Sequence, residues 1–232
     1  MRSGEMKMRF LLAVLSLVLL LGCGATTATP EDNPTDGDSS ADGDGSDGLK
    51  IYDIRNTESA NHPAVGTSVT VNNVVVISNV FSAASNLKGV FLSDIGGGEY
   101  SAVLMTWTPT SADATYGYDP PALTAGMVIN VVGNYNEFCG TKAPYYTHCS
   151  QQIELTPYQK NKGSVVDTGA TSALPIAKIV DPAAVKTDGT DSANWQNALI
   201  AVDNVAVTGA ADSYKVFTIT GDLKVDDTIY KY

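Results

Sequence analysis

Between Leu49 and Leu155 the apolar residues fall in short runs rich in Val and Ile, separated by Gly, Pro and Asn. This pattern constrains the fold more than any other feature, because β-branched residues in short alternating runs suit a pleated surface and lose rotamer freedom in a helix. Val69, Val71 and the run Val74 to Ile77 read as a first strand, and Val90-Phe91-Leu92-Ser93 as a second. The turn Gly96-Gly97-Gly98 leads to a third at Tyr100 to Trp107. Asp119-Pro120-Pro121-Ala122-Leu123 reads as a short turn or helix, Met127 to Val132 as a fourth strand and Gln151 to Leu155 as a fifth. The expected class is all-β.

The N-terminus carries a different signal. Arg2, Lys7 and Arg9 precede an apolar run from Phe10 to Leu21, interrupted by Ser16 alone and followed by Gly22 and Cys23. A basic start, a short apolar stretch and a small residue at the cleavage point describe a secretory signal. A buried hydrophobic helix or an uncleaved anchor is the competing reading, but the run falls short of the ~20 apolar residues that a spanning helix needs. Leu20-Leu21-Gly22-Cys23 resembles the lipobox of bacterial lipoproteins. That resemblance implies a signal peptide over 1–22 and a lipid on Cys23, the first mature residue, with the membrane as a partner through that lipid. Gly24 stands where an Asp would resemble an inner-membrane retention signal, so the expected place is the cell envelope, at the outer membrane or cell surface.

Residues 23–48 change to Thr, Pro, Ser, Gly and Asp, and Asp36 to Gly48 contains no apolar residue larger than Ala. Such a segment has nothing to bury and reads as a tether. Its Asp at alternate positions also resembles a calcium loop, but an EF-hand needs a bidentate Glu at the twelfth position and none follows. The whole chain has 14 basic and 25 acidic residues; setting aside Arg2, Lys7, Arg9, Glu5 and the seven tether acids leaves 11 against 17 from Leu49 onward. Nucleic-acid binding relies on Lys and Arg neutralising phosphates, so this balance argues against nucleic acid as the main partner.

With Cys23 assigned to lipid, Cys139 and Cys149 remain, in a compartment that permits disulfides. The expected pairing is with each other, closing the loop between the fourth and fifth strands. A zinc site built on these two and His148 lacks a fourth ligand. No metal and no cofactor is expected.

Five strands with an excursion in the middle fit the five-stranded, partly open Greek-key barrel called the OB-fold, with a β-sandwich as the alternative. Gly89-Val90-Phe91-Leu92-Ser93-Asp94 before a Gly turn, Leu123 to Gly133 and Gln151-Gln152-Ile153-Glu154-Leu155 together resemble the OB-fold-like domain that accompanies secreted bacterial endonuclease/exonuclease/phosphatase-type nucleases and also occurs alone in lipoproteins. The resemblance covers roughly Leu49 to Thr156 and rests on hydrophobic motifs. It departs from the family at Met127, where an acidic residue is usual, and at Ser93, where Gln is common.

Beyond a Gly- and Ser-containing stretch, 157–173, that reads as a linker, the chain begins to repeat. Val71-Asn72-Asn73-Val74-Val75-Val76 lines up with Val202-Asp203-Asn204-Val205-Ala206-Val207, and Leu49 to Ile54 faintly with Leu174 to Ile179. The expected domains are therefore 49–156 and a truncated second copy over 174–232, without counterparts of the fourth and fifth strands.

Motifs for catalysis do not emerge: there is no Gly-x-Ser-x-Gly, phosphate loop, Cys-x-x-Cys or His-Glu-x-x-His. His62 and His148 alone could serve as imidazole bases, and both read as loop residues. The expectation is a non-enzyme. OB-folds bind through one strand face and adjacent loops, which nominates Trp107, Tyr116, Tyr118, Tyr145 and Tyr146 as ligand contacts, with Tyr135 and Phe138 nearby. Rings with polar tips suit a glycan or a protein surface. Three functions follow in order: a binding module for a glycan, peptide or envelope protein; a structural lipoprotein docking on another subunit; an accessory domain of an extracellular nuclease system.

Overall fold

Ile51 and Ile54 are spaced to share one side of a helical turn, and Ile51–Arg55 forms α1 with both side chains fully buried. The computed structural model describes residues 48–139, 149–157, 162–213 and 215–226, all within one unit, Gly45–Tyr232. The signal segment, Cys23, the tether up to Asp47, His148, Tyr145 and Tyr146 lie outside the described residues. No helix among the described residues is long and apolar enough to cross a membrane.

After α1 come β1 (Ser68–Val76), β2 (Phe81–Ala84), β3 (Leu87–Ser93), β4 (Ala102–Trp107), β5 (Met127–Phe138) and β6 (Ser150–Glu154). β1 pairs antiparallel with β3, β3 with β4, β6 with β5, and β5 with β1, while β4 runs parallel to β6. These five pairings close on themselves. The strands therefore form one ring, not two facing sheets, which meets the all-β expectation and sets the sandwich aside. β2 is an added hairpin arm on β3.

The interior is filled by β-branched and long aliphatic side chains, among them Val71, Val74, Leu92, Met105, Ile129 and Ile153, with α1 contributing Ile51 and Ile54. β1 does not alternate strictly. Its register with β5 shifts between Val71 and Val74, and Asn73, at φ 55°, takes the left-handed conformation that a bulge of this kind uses. The Asn73 N–H is satisfied by Asn130 Oδ1 at 2.8 Å. Because of the shift, Val74 and Val76 return to the interior while Val75 joins Ile77 and Ala102 in a second cluster, against which Phe91 and Ala198 pack.

Two boundaries differ from the sequence reading. The stretch 157–173 is not a linker: Ser164–Thr171 forms β7, antiparallel to β5. Only Val165 of this strand is buried. An edge strand facing water carries no alternation to betray it. β5 also runs past Val132 to Phe138, since Gly133 lets it pass β6; a Cβ there would lie 2.4 Å from Ile153 Cγ2.

The rest of the chain comprises β8 (Lys178–Ile179), α2 (Pro182–Val185), α3 (Ser192–Trp195), β9 (Ile200–Ala201), β10 (Val207–Gly209), β11 (Phe217–Ile219) and β12 (Leu223–Val225). β8 and β9 pair in parallel, and β10, β11 and β12 form an antiparallel sheet. Backbone features of the opening of the chain recur here at one constant spacing. Leu49 N donates to Thr70 O at 2.7 Å, and Val180 N to Ala201 O at 3.0 Å. Helix α1 is followed at that spacing by α2, and Asn73 by Asn204, which holds φ 51°. Val76 pairs with β3, and its counterpart Val207 pairs with β11. The match of Val71 to Val202 thus has the right register, whereas the match of Leu49 to Leu174 is corrected: Leu49 corresponds to Val180. Apolar spacing alone had suggested the earlier start.

Candidate functional site

The most unusual feature among the described residues is a ladder of polar groups at the α1 end of the ring. Arg55, the last residue of α1, is only 3% exposed. Its Nη1 donates to Gln151 Oε1, and its Nη2 donates to the carbonyls of Ala193 at 2.8 Å and Gln196 at 3.5 Å. Gln151 Nε2 donates to Tyr135 Oη at 3.2 Å, and Tyr135 Oη donates to Glu137 Oε1 at 2.6 Å. His62 stands edge-on to Tyr135, its Nε2 3.4 Å from the hydroxyl and its Nδ1 3.1 Å from the carbonyl of Asp53. The ladder joins α1, β6, β5 and the α3 segment.

Its charges are held at a cost. Burial pushes the Arg55 guanidinium down to about 10, opposed by the negative ends of Tyr135 and Tyr100. It stays charged at neutral pH with only neutral acceptors, and its Nε–H has no partner among the described residues. Burial, followed by the bond to Glu137, pushes the Tyr135 hydroxyl up, against the pull of Gln151 and Arg55. A phenol held protonated and an imidazole engaged at both nitrogens build no activated nucleophile. The arrangement fits scaffolding of the ring end better than chemistry.

A second electrostatic detail fixes α1. Asp94, in the turn after β3, accepts from Ile51 N and Tyr52 N, both at 3.0 Å, and so caps the helix from another element. Burial raises its carboxyl above the usual 3.8, and the two backbone donors only partly offset this. A raised folded value means that the stability linked to Asp94 is complete below pH 3.8 and declines as pH rises through the folded value. In Asp94→Asn one acceptor oxygen remains and this decline disappears. The stability gap between wild type and variant, read from urea unfolding, is therefore expected to narrow from acid to neutral pH; a gap that widens contradicts the assignment.

Cys139 and Cys149 form a disulfide, joining the end of β5 to the residue before β6. Glu137 lies close to both sulfurs, but sulfurs bonded to each other offer no thiolate to a metal.

The nominated aromatics divide. Trp107 is 4% exposed and belongs to the interior cluster, so its nomination as a ligand contact is corrected: the last position of β4 points into the ring. Tyr118 is half-buried against the same cluster and its hydroxyl accepts from Val165 N at 3.0 Å, tying β7 to the loop after β4. Tyr116 is 50% exposed. The loop that carries it is ordered by its own bonds: Asp113 Oδ1 accepts from Thr115 N and Tyr116 N, and Lys162 Nζ donates to Gly117 O at 2.7 Å. Gly117 is obligatory, since a Cβ would lie 2.3 Å from Asp113 O. Phe138 is also exposed, beside the disulfide. A pair that sequence reasoning passed over is the exposed Tyr52 with the half-buried Tyr100, edge to face at 6.0 Å. Its members lie far apart in sequence: Asp94 fixes the Tyr52 end, and Asn194 holds Tyr100, accepting from Tyr100 N and from Tyr100 Oη, both at 2.6 Å.

No family model and no curated protein matches the chain. Among solved structures, an aspartyl-tRNA synthetase from Entamoeba histolytica is similar over 48% of this chain and 20% of that one, at 12% identity and a TM-score of 0.28, a level that carries no argument about function.

Proposed function

We propose that this protein is a lipid-anchored cell-envelope lipoprotein whose OB-fold-like ring acts as a non-catalytic binding module for a glycan, peptide or partner protein. The observation that carries the binding reading is Tyr116, exposed on a loop already fixed by Asp113, Gly117 and Lys162. A pre-ordered loop gives up little entropy on binding, and a half-exposed Tyr offers a flat face with a polar tip. Lipid on Cys23 and the Asp-rich tether would carry this surface clear of the membrane. Tyr145 and Tyr146, within the disulfide-closed loop, belong to the same reading, and the acidic balance speaks against nucleic acid.

The test is binding of the chain from Leu49 onward to envelope glycans, envelope proteins and single-stranded DNA at two salt concentrations. Tyr116→Ala is expected to weaken the captured ligand about tenfold or more, with unfolding unchanged. Steeply salt-dependent DNA binding refutes the charge argument, and an affinity indifferent to Tyr116 refutes the site.

A second reading, docking on another subunit, is favoured by one specific observation. Val76 is 0% exposed in the first copy, while its counterpart Val207 in the second is 56% exposed.

A further inference from the structure

In the first copy the outer edge of β1 is covered by β5. Val71 faces Val131, Val74 faces Ile129 and Val75 faces Val128, all antiparallel. The second copy reproduces the bulge residue and the helix before it, with Val202, Asn204 and Val205 in the places of Val71, Asn73 and Val74, between β9 at Ile200–Ala201 and β10 at Val207–Gly209. It also reproduces the meander that follows, β10 to β11 to β12. The turn after β11 packs on the start of α2, where a Cβ on Gly221 would lie 2.8 Å from Ala183 N, as the turn after β3 caps α1. Among the described residues, nothing takes the place of β5: β9 pairs with β8 and β10 with β11, and the main-chain groups of Val202 and Val205 have no hydrogen-bond partner.

We propose that the edge formed by residues 200–207 takes up an antiparallel β-strand from a partner polypeptide, in the position that β5 holds on β1. This rests on the docking reading above and names its partner. The first copy specifies the occupant's chemistry: a strand with β-branched aliphatic residues at the positions that meet Val202 and Val205, as Val131 and Ile129 meet Val71 and Val74. Edge addition supplies main-chain hydrogen bonds for affinity and alternate side chains for specificity. Between Leu174 and Asp226 the chain carries seven Asp and four Lys, and Asp203 on the edge itself is exposed. The occupant therefore carries Lys or Arg at its flanks. An open strand edge of this kind pairs readily when a matching strand is offered.

The experiment is amide hydrogen exchange on the full chain in detergent, with a synthetic peptide of the Met127–Phe138 sequence flanked by lysines, and a scrambled peptide as control. The matched peptide is expected to slow exchange over 200–207 by about tenfold or more, and the scrambled one to have no effect. Val202→Pro removes an edge N–H and is expected to abolish the slowing while protection in β3 to β6 stays intact, which separates a lost edge from a lost fold. Absence of slowing overturns the proposal. So does an edge already protected in the free chain: protection independent of concentration means that the chain covers its own edge, and protection that grows with concentration means a second copy. If the edge takes no strand but the region from Leu174 on still captures an envelope subunit through another surface, the docking reading survives and this inference does not.

Discussion

Arg55→Ala is expected to cost about 3 kcal/mol of unfolding free energy, among the largest effects of any single side chain outside the hydrophobic interior. The guanidinium is the common donor for Gln151 Oε1 and for the carbonyls of Ala193 and Gln196. Removing it leaves the buried Gln151 Oε1 unpaired, at roughly 1 to 3 kcal/mol, takes a donor from the part-buried carbonyls of Ala193 and Gln196, and opens a void beneath α1. Relief of the desolvated charge works in the opposite direction and keeps the total below the simple sum. Arg55→Lys restores the charge but not the two-way fork, so it is expected to recover little. Urea unfolding measures the loss, and hydrogen exchange locates it: amides of residues 192–197 lose protection before those of β3 and β4. A loss below about 1 kcal/mol would mean that water serves the acceptors as well as Arg55 does, and the ladder would not be what binds the α3 segment to the ring.

The ladder also shows where sequence reasoning stops. Strands β1, β3, β4 and β5 were legible because each buries β-branched or aliphatic residues in a run, and β6 from Ile153 with Leu155 just beyond it. The Cys139–Cys149 bond was legible from compartment and count. Helix α1 was not, because five residues bearing two Ile carry no periodicity beyond a single turn, and what holds them is Asp94 and the ring interior. β7 was lost for the opposite reason, since an exposed edge strand of Ser, Val, Asp, Thr and Gly has the composition of a linker. Trp107 was misplaced because a strand's last residue can point into the ring or out of it. Arg55 left no trace at all, as its partners at 151, 193 and 196 are brought to it only by the fold.

The repeat was legible where its residues repeat and misread where they do not. Val-x-Asn-Val-x-Val recurs because the bulge needs a residue at ease with positive φ, and Asn tolerates it better than a β-branched residue. The stretch from Leu49 to Ile54 and its true counterpart from Val180 to Val185 share a parallel bridge and a helical turn but few side chains. In one copy an Asp from a distant turn caps the helix, and in the other Asp181 caps it locally by accepting from Ala183 N at 2.9 Å. The same backbone is thus reached with different chemistry.

Cys23→Ala is expected to move the protein from the membrane to the aqueous phase, a change of orders of magnitude in partition. Each buried methylene contributes about 0.8 kcal/mol, so one acyl chain binds marginally and two or more bind in effect permanently. Removing the acylated sulfur removes all of them together. An uncleaved signal, in which Phe10 to Leu21 itself anchors the chain, competes with lipidation. Mass separates the two: a lipoprotein starts at Cys23 and carries acyl mass, whereas an anchored precursor retains Phe10 to Leu21 and no lipid. Detergent phase partitioning of wild type and variant, with intact mass on both, is the measurement. Wild type is expected in the detergent phase with an acylated mature mass, and the variant in the aqueous phase if export proceeds, or as an unlipidated precursor if processing depends on the sulfur. A variant retained as wild type is, at the same mature mass and without acyl groups on either, would end the lipoprotein reading while leaving the ring and its exposed Tyr116 untouched.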